Sequence, residues 1–152
     1  MLGFFKMKKT LRDLINNNKD DDIAITSDDN QPIKFSELKK HVYNISSQLS
    51  GNGVLKTDRA AIVLPNGPEM ATAFLAVSSY MSAAPLNPSY KLNEYEFYLE
   101  DLKPKIVIVE KDSNNPIVAA ANKLGIEICE IKKNEAAPAG IFNLYNSTKS
   151  FE

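Results

Sequence analysis

The sequence is poor in the residues that most often carry catalysis, metal binding or covalent cross-links. Its 152 residues include one cysteine, one histidine and no tryptophan. The single cysteine, Cys129, excludes an internal disulfide and favours a reducing compartment over secretion. One histidine and one cysteine, far apart, do not make a transition-metal site. A net charge of −1 gives no electrostatic reason to expect nucleic acid or an anionic membrane as a partner.

Long apolar runs and glycine-rich loops are also missing. The most apolar segment, residues 70–86, contains hydroxyl side chains and a proline, and it falls short of the ~20 apolar residues that a membrane span needs. The first nine residues, Met1–Lys9, have too few apolar side chains for a signal peptide. The six glycines are dispersed, without a Gly-x-Gly-x-x-Gly motif or a Walker loop.

The chain is organised around Asp58–Tyr90, which has the pattern strand, turn, helix, strand. Ala60–Leu64 is apolar without alternation, as expected of a strand that is buried on both faces. Pro65–Gly67 interrupts this strand, and Pro68 suits the first position of a helix because its missing N–H has no partner there. Ala83–Leu86 predicts a second short strand.

Five helices are predicted from cap residues that precede apolar side chains at helical spacing. We expect them to start at or just after Thr10, Ser36, Gly67, Asn93 and Asn115. The stripes expected to face the core of the four longer helices are, in chain order, Leu38, Val42, Ile45 and Leu49; Met70, Phe74 and Val77; Tyr95, Tyr98, Leu99 and Leu102; Ile117, Ala121 and Leu124.

The remaining strands complete an α/β pattern. Ile23–Ile25 and Ile33–Phe35 predict an N-terminal hairpin, and Ile106–Val109 and Ile126–Ile131 predict two further buried strands. From Ala60 to Ile131 the order is β-α-β-α-β-α-β. Short strands that alternate with helices predict a mainly parallel sheet flanked by helices on its faces.

Several of these segments resemble a known enzyme superfamily. DRAAIVLPNGPEMATAFLAV, followed by AAPLNPSY and EYEFYLEDLKPKIVIVE, is similar to the N-terminal part of the acyl-CoA synthetases, which belong to the adenylate-forming (AMP-binding) superfamily. AAPLNPSYKLNEYEFYLEDLKPK most resembles the peroxisomal, oxalyl-CoA-synthetase-like branch. Phe35–Leu38 matches the family's opening of the second helix, where it is structural. The resemblance covers roughly Thr10–Ile131 and implies an incomplete copy of the family's N-terminal α/β subdomain.

We expect three segments: a disordered leader at 1–9, a partial AMP-binding-type N-terminal domain at 10–131 by resemblance, and a linker or frayed tail at 132–152, where the pattern of strands and helices decays. The full-length family uses ATP, Mg and CoA to convert a small carboxylic acid into an acyl-adenylate and then into an acyl-CoA. Its phosphate loop is a Thr-Ser-Gly-Thr-Thr-Gly type run, and it also needs a ribose-binding acidic residue and a lysine on a mobile C-terminal domain.

None of these three catalytic motifs occurs in the sequence. We therefore assign no catalytic, cofactor-binding or metal-binding residue to this chain, and we expect no cofactor and no catalysis for the chain alone. Its expected partner is the remainder of the ligase, and no nucleic acid partner or membrane span is expected. The expected compartment is the cytoplasm or, by resemblance, the peroxisome, although Lys149–Glu152 is not a peroxisomal targeting tripeptide.

A few residues allow a functional as well as a structural interpretation. Pro65–Gly67 could border a ligand at the carboxyl ends of the parallel strands, but a tight turn is the favoured interpretation. The acidic runs at Asp20–Asp22 and Asp28–Asp29 could bind a divalent cation, but neither has the pattern of an EF-hand, and solvated turns are favoured. Tyr95 and Tyr98 are assigned to the core or to a groove wall.

Histidine and cysteine also receive structural assignments. His41 lies one position away from the stripe of its helix, so we expect a half-exposed side chain, and no partner for a general base is visible. Cys129 lies between Ile128 and Glu130 in a strand, so a buried, inert thiol is favoured over a reactive one.

Two other functions remain open at this point. The chain could be a non-catalytic module that pairs with a separate ligase piece, and such a module should expose an apolar face. It could instead be an independent flavodoxin-like nucleotide-binding domain. That domain needs a phosphate loop after the first parallel strand. Leu64–Glu69 is a poor one, because two prolines remove N–H donors and Glu69 repels phosphate.

Overall fold

The computed structural model describes residues 10–146, so the predicted leader at 1–9 lies outside the described residues. Helix α1 (Leu11–Asn16) begins after Thr10, as predicted. The Thr10 hydroxyl accepts the Asp13 N–H at 3.1 Å, and the Asp13 carboxylate accepts the Thr10 N–H at 2.8 Å. This capping box satisfies two backbone donors, and the bond from the Thr10 N–H is the main cause that lowers the pKa of Asp13.

The N-terminal hairpin is confirmed, but the cap of the helix that follows is not. Strands β1 (Ile23–Ile25) and β2 (Ile33–Lys34) form an antiparallel pair. Helix α2 (Phe35–Gly51) begins one residue before the predicted cap, Ser36, which lies inside its first turn. The Glu37 carboxylate accepts the Lys34 N–H at 2.9 Å. A glutamate that reaches back one turn thus takes the place of a hydroxyl cap.

A five-stranded sheet forms the centre of the fold, with the strand order β4-β3-β5-β6-β7. The first four of these strands are parallel, and β7 is antiparallel to β6. The predicted α/β class with a mainly parallel sheet is therefore confirmed. The strands are β3 (Arg59–Val63), β4 (Ser82–Pro85), β5 (Ile106–Glu110), β6 (Glu127–Lys133) and β7 (Phe142–Asn146). The connecting helices are α3 (Pro68–Ser78), α4 (Leu92–Leu102) and α5 (Pro116–Leu124).

The interpretation of residues 132–152 as a linker or frayed tail is wrong for β7. Ile131 is paired with Leu144 and Lys133 with Phe142. Phe142 and Leu144 are buried, whereas the residues that follow each of them, Asn143 and Tyr145, are exposed. The alternation with period two is that of a half-buried strand. Because polar residues occupy the alternate positions, the sequence of β7 has no continuous apolar run that would indicate a strand. Residues 147–152 lie outside the described part of the chain.

Helix α3 buries a different face from the predicted one. Thr72, Ala73, Ala76 and Val77 are buried, whereas Phe74 is 38% exposed. Of the predicted stripe, only Val77 is fully buried, and Met70 is partly buried. The small side chains let α3 approach α2 closely enough for the Ser46 hydroxyl to lie 3.5 Å from the Ala76 carbonyl oxygen. Close helix packing therefore overrides the simple rule that the largest apolar residues face inward.

Helices α4 and α5 show one corrected and one confirmed cap. The predicted cap of α4, Asn93, lies inside the helix, and the Glu94 carboxylate instead accepts the Lys91 N–H at 2.8 Å. The predicted cap of α5 is correct, because the Asn115 side chain accepts the Ile117 N–H at 3.0 Å. Gly125 ends α5 with φ of 66°, a left-handed conformation that suits glycine.

Helices cover both faces of the sheet. The front cluster packs α1, α2, α3 and the hairpin against one face of the sheet, including Ile62 and Ile108. The back cluster packs α4 and α5 against the other face, including Val63 and Val109. These strand residues alternate between the clusters, as the pleat of a strand requires. Within residues 10–146, no helix is long and apolar enough to cross a membrane.

Candidate functional site

The strand order defines a crevice where an α/β fold most often binds ligands. The chain passes from β3 to β4 on one side and then returns through α4 to β5 on the other side of β3. The direction of winding therefore changes between β3 and β5, and ligands bind outside the carboxyl ends of the strands at such a point. We call the loops 64–67, 86–91 and 111–115, which follow β3, β4 and β5, the carboxyl edge.

Two of these loops are bonded to each other. The Asn115 side-chain amide donates to the Pro88 carbonyl at 2.8 Å, which joins the start of α5 to the loop before α4. The Tyr95 hydroxyl donates to the Asn87 carbonyl at 2.8 Å, and the Asn87 side chain accepts the Ser89 N–H at 2.9 Å. These bonds fix the loop that follows β4, and sequence reasoning did not foresee them.

Three tyrosines pack together beside this loop. The ring of Tyr90 stacks on Tyr98 with centroids 5.1 Å apart and 11° between the planes, and it meets Tyr95 edge-on at 5.7 Å. Tyr95 is fully buried, and its burial raises the pKa of its hydroxyl. The hydrogen bond with Tyr98 is the main cause that raises the pKa of Tyr90. The assignment of Tyr95 to the core is confirmed. Tyr90 packs against Tyr95 and Tyr98, in agreement with the packing role that the sequence suggests for Asn87–Tyr90.

The helix N-termini at the carboxyl edge offer few free backbone donors. Prolines occupy the first position of α3 and of α5, so both positions lack an N–H. Asn115 already binds the Ile117 N–H, and Glu94 already binds the Lys91 N–H. In α3 the acidic Glu69 lies in the first turn, where it opposes a bound anion. The turn Pro65–Gly67 is exposed and follows β3 directly.

His41 is buried, so the prediction of a half-exposed side chain is wrong. It is 6% exposed, and its ring meets Phe142 of β7 edge-on with centroids 4.5 Å apart. Burial lowers the pKa of His41 to about 4, and Nε2 has no hydrogen-bond partner among residues 10–146. The unforeseen strand β7 contributes to this burial through Phe142. The side chain is therefore neutral at physiological pH. It belongs to α2, not to the loops of the carboxyl edge.

Cys129 is buried, as the sequence predicts. It is 1% exposed and lies in the front cluster. Burial, followed by the nearby charge of Glu127, raises the pKa of the thiol to about 12. A thiol with this pKa is protonated at neutral pH and is a poor nucleophile or ligand.

The acidic run that precedes β1 forms ion pairs at the surface. Asp20 lies 2.7 Å from the ammonium of Lys39, and Asp21 lies 3.2 Å from that of Lys34. The bond from Lys39 is the main cause that lowers the pKa of Asp20. No group of histidine, cysteine and acidic side chains suited to a metal ion occurs within residues 10–146. These contacts support the interpretation as solvated turns.

Comparisons with known proteins agree with this architecture. The family model described as "AMP-binding enzyme" matches residues 12–147, which include β7 and every other strand and helix except the first residue of α1. This chain therefore belongs to the AMP-binding enzyme family. The match confirms the resemblance to the adenylate-forming superfamily and extends it beyond Ile131.

The relatives that match parts of this chain include acid–CoA ligases. It is 40% identical over 82 residues to an oxalate–CoA ligase of Arabidopsis thaliana, a match to 53% of this chain and 16% of that protein. It is 40% identical over 93 residues to an oxalate–CoA ligase of Saccharomyces cerevisiae, with 58% and 17% covered. The matches thus span about a sixth of the length of these relatives.

Solved structures show the same fold. Apo MatB from Rhodopseudomonas palustris superposes with a TM-score of 0.69 at 26% identity, over 80% of this chain and 25% of that one. A benzoate CoA ligase from Burkholderia xenovorans gives a TM-score of 0.70 at 17% identity, with 79% and 25% covered. The matched residues therefore correspond to about a quarter of each of these two chains, and the likeness to the second one concerns the fold alone.

Proposed function

We propose that this chain is the N-terminal part of an ATP-dependent acid–CoA ligase, and that by itself it supplies structural layers rather than catalytic groups. In the whole enzyme, ATP and a carboxylic acid would form an acyl-adenylate, and the acyl group would then pass to CoA. The family match and the two oxalate–CoA ligase relatives support this proposal. The names of these relatives favour a small acid such as oxalate as the substrate.

The observation that carries the non-catalytic part of the proposal is the state of the carboxyl edge. Transfer of an adenylyl group develops negative charge on the leaving pyrophosphate, which needs preorganised donors or cations. At the carboxyl edge, prolines and side-chain caps remove donors from α3, α4 and α5, and Glu69 adds a negative charge. The carboxyl edge therefore offers few groups that could bind the phosphates of a nucleoside triphosphate.

A pyrophosphate-exchange assay tests this proposal. The purified chain is incubated with ATP, Mg²⁺, labelled pyrophosphate and oxalate, and the S. cerevisiae oxalate–CoA ligase serves as the positive control. We expect no exchange above the protein-free background for this chain. Exchange that depends on both the chain and the acid would contradict the proposal, because it would require phosphate-stabilising groups within these residues.

A second candidate function, an interaction module that pairs with a separate ligase piece, is favoured by the edge of β7. Among the described strands β7 pairs with β6 alone, so its other side is open to a further strand. The expectation of an exposed apolar face is wrong for the sheet itself, since helices cover both of its faces. Size-exclusion chromatography with light scattering, alone and after co-expression with the C-terminal part of a ligase, separates the two candidates. A clean monomer that captures no ligase piece counts against the module.

The third candidate, a flavodoxin-like nucleotide-binding domain, has little support. It requires free N–H donors after the first parallel strand, and Pro65 and Pro68 flank that turn. The family match also favours a ligase subdomain. For the compartment, we propose the cytoplasm or the peroxisome, on the basis of the single cysteine and the oxalate–CoA ligase relatives. Fluorescence imaging of the tagged chain together with a peroxisomal marker distinguishes the two.

A further inference from the structure

A groove of about 390 Å³ lies at the opposite end of the sheet from the carboxyl edge. It is bordered by α1, by the last two turns of α2, and by Lys56 and Tyr80. Lys56 precedes β3 and Tyr80 precedes β4, and these two strands are parallel. Their starting ends therefore meet at one edge of the sheet. We call this feature the amino-edge groove.

The floor of the amino-edge groove is fixed and already hydrogen-bonded. The hydroxyl of Ser46, which is 4% exposed, donates to the Val42 carbonyl at 2.8 Å. The Tyr80 hydroxyl donates to the Val54 carbonyl at 2.7 Å. These bonds hold the floor in one arrangement, so a ligand would meet a preformed surface rather than a collapsed one.

The rim of the groove has the opposite character, because its polar side chains lack partners in the described part of the chain. The rim consists of the side chains of Arg12, Tyr43, Ser47, Ser50 and Lys56. None of them makes a side-chain hydrogen bond or ion pair with any residue between 10 and 146. None of the described residues that line the groove carries a carboxylate. Four lysines elsewhere in the described part of the chain do have carboxylate partners, namely Lys34, Lys39, Lys123 and Lys133.

The carbonyl groups at the end of α2 do not bind the charged side chains of Arg12 and Lys56. A helix C-terminus attracts cations because its last carbonyl groups are free. Here the carbonyls of Gln48, Leu49 and Ser50 accept backbone N–H groups from residues 52–54 at 3.1 to 3.3 Å. The guanidinium and the ammonium of the rim therefore stay available for a ligand from solution.

We propose that the amino-edge groove binds a small phosphate ester with an aromatic or apolar organic part. Arg12 suits a phosphate because its planar guanidinium bonds to two oxygens at once, and Lys56 adds a second positive charge. Ser47 and Ser50 supply hydroxyl donors. The Tyr43 ring, 65% exposed, offers a surface for the organic part. The groove volume falls within the ~300–1,000 Å³ of small-molecule sites, so inorganic phosphate alone would leave most of it empty.

Titration of the isotope-labelled full chain by NMR at low ionic strength tests this site, with phenyl phosphate as the probe. We expect saturable shifts at the backbone amides of residues 46–56, weaker binding of inorganic phosphate, and no binding of phenol. Arg12→Gln and Lys56→Gln should each weaken phenyl phosphate binding by about tenfold, as expected for loss of a charged hydrogen-bond donor. Lys40→Gln removes the same charge from the exposed face of α2 and should leave binding unchanged.

Three results would overturn the proposal. The first is the absence of saturation with phenyl phosphate, and the second is equal weakening by Lys40→Gln and by the rim variants, which would indicate non-specific charge attraction. The third is binding to phosphatidylserine vesicles, but not to phosphatidylcholine vesicles or phenyl phosphate, which would identify a membrane surface as the ligand instead. Circular dichroism of each variant confirms that it remains folded. None of these readouts uses ligase activity, so the outcome is independent of the proposed function.

Discussion

The two faces of the sheet are built from different parts of the chain. The back cluster joins β3, β5 and β6 to α4 and α5, which are neighbours in sequence. The front cluster draws on α1, the hairpin, α2, α3 and β7, so it unites both ends of the described chain. It also buries polar side chains, among them His41 and Thr72. The front face therefore depends on contacts between residues that are far apart in sequence, and it should be the more sensitive to single changes.

The largest effect is expected at Gly140, where the chain returns to the front face before β7. Its φ is +81°, and a Cβ added there would lie 2.6 Å from the Thr72 Cγ2 and 2.8 Å from the Pro68 carbonyl oxygen. Gly140→Ala thus combines backbone strain with a collision against backbone, and we expect a loss of about 3–4 kcal/mol in the free energy of unfolding. Urea denaturation followed by circular dichroism measures this loss.

Gly53→Ala is the matched control for that change. Gly53 has a similar φ of +79°, but no atom lies within 4 Å of an added Cβ. Strain without collision should cost about 1 kcal/mol. Equal losses in the two variants would show that the close approach of residue 140 to α3 does not matter, and that the front face is not held together at this point.

The next effect is a dependence of stability on pH that originates at His41. Its pKa is about 4 in the folded protein, against 6.5 as the ordinary value. Between these values the unfolded chain binds more protons than the folded one, so stability falls as the pH drops from 6.5 towards 4 and is fully retained above 6.5. The gap of about 2.5 between the two pKa values corresponds to an upper bound of about 3.4 kcal/mol.

Replacing the histidine separates this contribution from that of the carboxylates. His41→Leu should flatten the dependence of the unfolding free energy on pH between 6.5 and 4, measured by urea denaturation at several pH values. Asp13 and Asp20, whose pKa values are lowered, contribute to both proteins and cancel in the comparison. An unchanged slope in His41→Leu would contradict the assignment of the pH dependence to this buried imidazole.

The back face and the sheet were largely predictable from sequence because their signals are local. Ile106–Val109 predicts a buried strand from its own composition, and Asn115 followed by Pro116 predicts the start of α5 without knowledge of any distant residue. The order of strands and helices then predicts the parallel sheet. The caps of α2 and α4 lie two residues before the predicted ones. The reason is that the carboxylates of Glu37 and Glu94 accept the backbone N–H groups of Lys34 and Lys91.

The front face and the candidate sites were less predictable because they depend on distant pairings. β7 has only two buried apolar side chains, and one of them, Phe142, packs against the ring of His41. The buried side of α3 is set by how closely α2 approaches, which a hydrophobic stripe does not encode. The amino-edge groove was also missed, since Arg12, Lys56 and Tyr80 come together only in the folded chain.

A smaller effect is expected from the bond that closes the front face. The Thr72 hydroxyl donates to the Gly140 carbonyl at 2.6 Å, and 68 residues separate the two. Thr72→Val keeps the shape of the side chain but leaves that buried carbonyl without this donor, which should cost about 2 kcal/mol in the free energy of unfolding. Thr72→Ser keeps the hydroxyl and should retain most of that contribution. A larger loss for serine than for valine would indicate that packing of the methyl group, not the hydrogen bond, is what matters.

The smallest effect is expected from the corresponding bond on the back face. The Tyr95 hydroxyl donates to the Asn87 carbonyl at 2.8 Å across only eight residues, and the accepting loop lies near solvent. In Tyr95→Phe the ring stays buried and the carbonyl can turn to water, so the unfolding free energy should fall by about 1 kcal/mol. Hydrogen exchange should accelerate at Ser89 and Tyr90, while β7 keeps its protection. A loss larger than that of Thr72→Val would reverse the ranking of the two faces, because the local bond would then contribute more than the distant one.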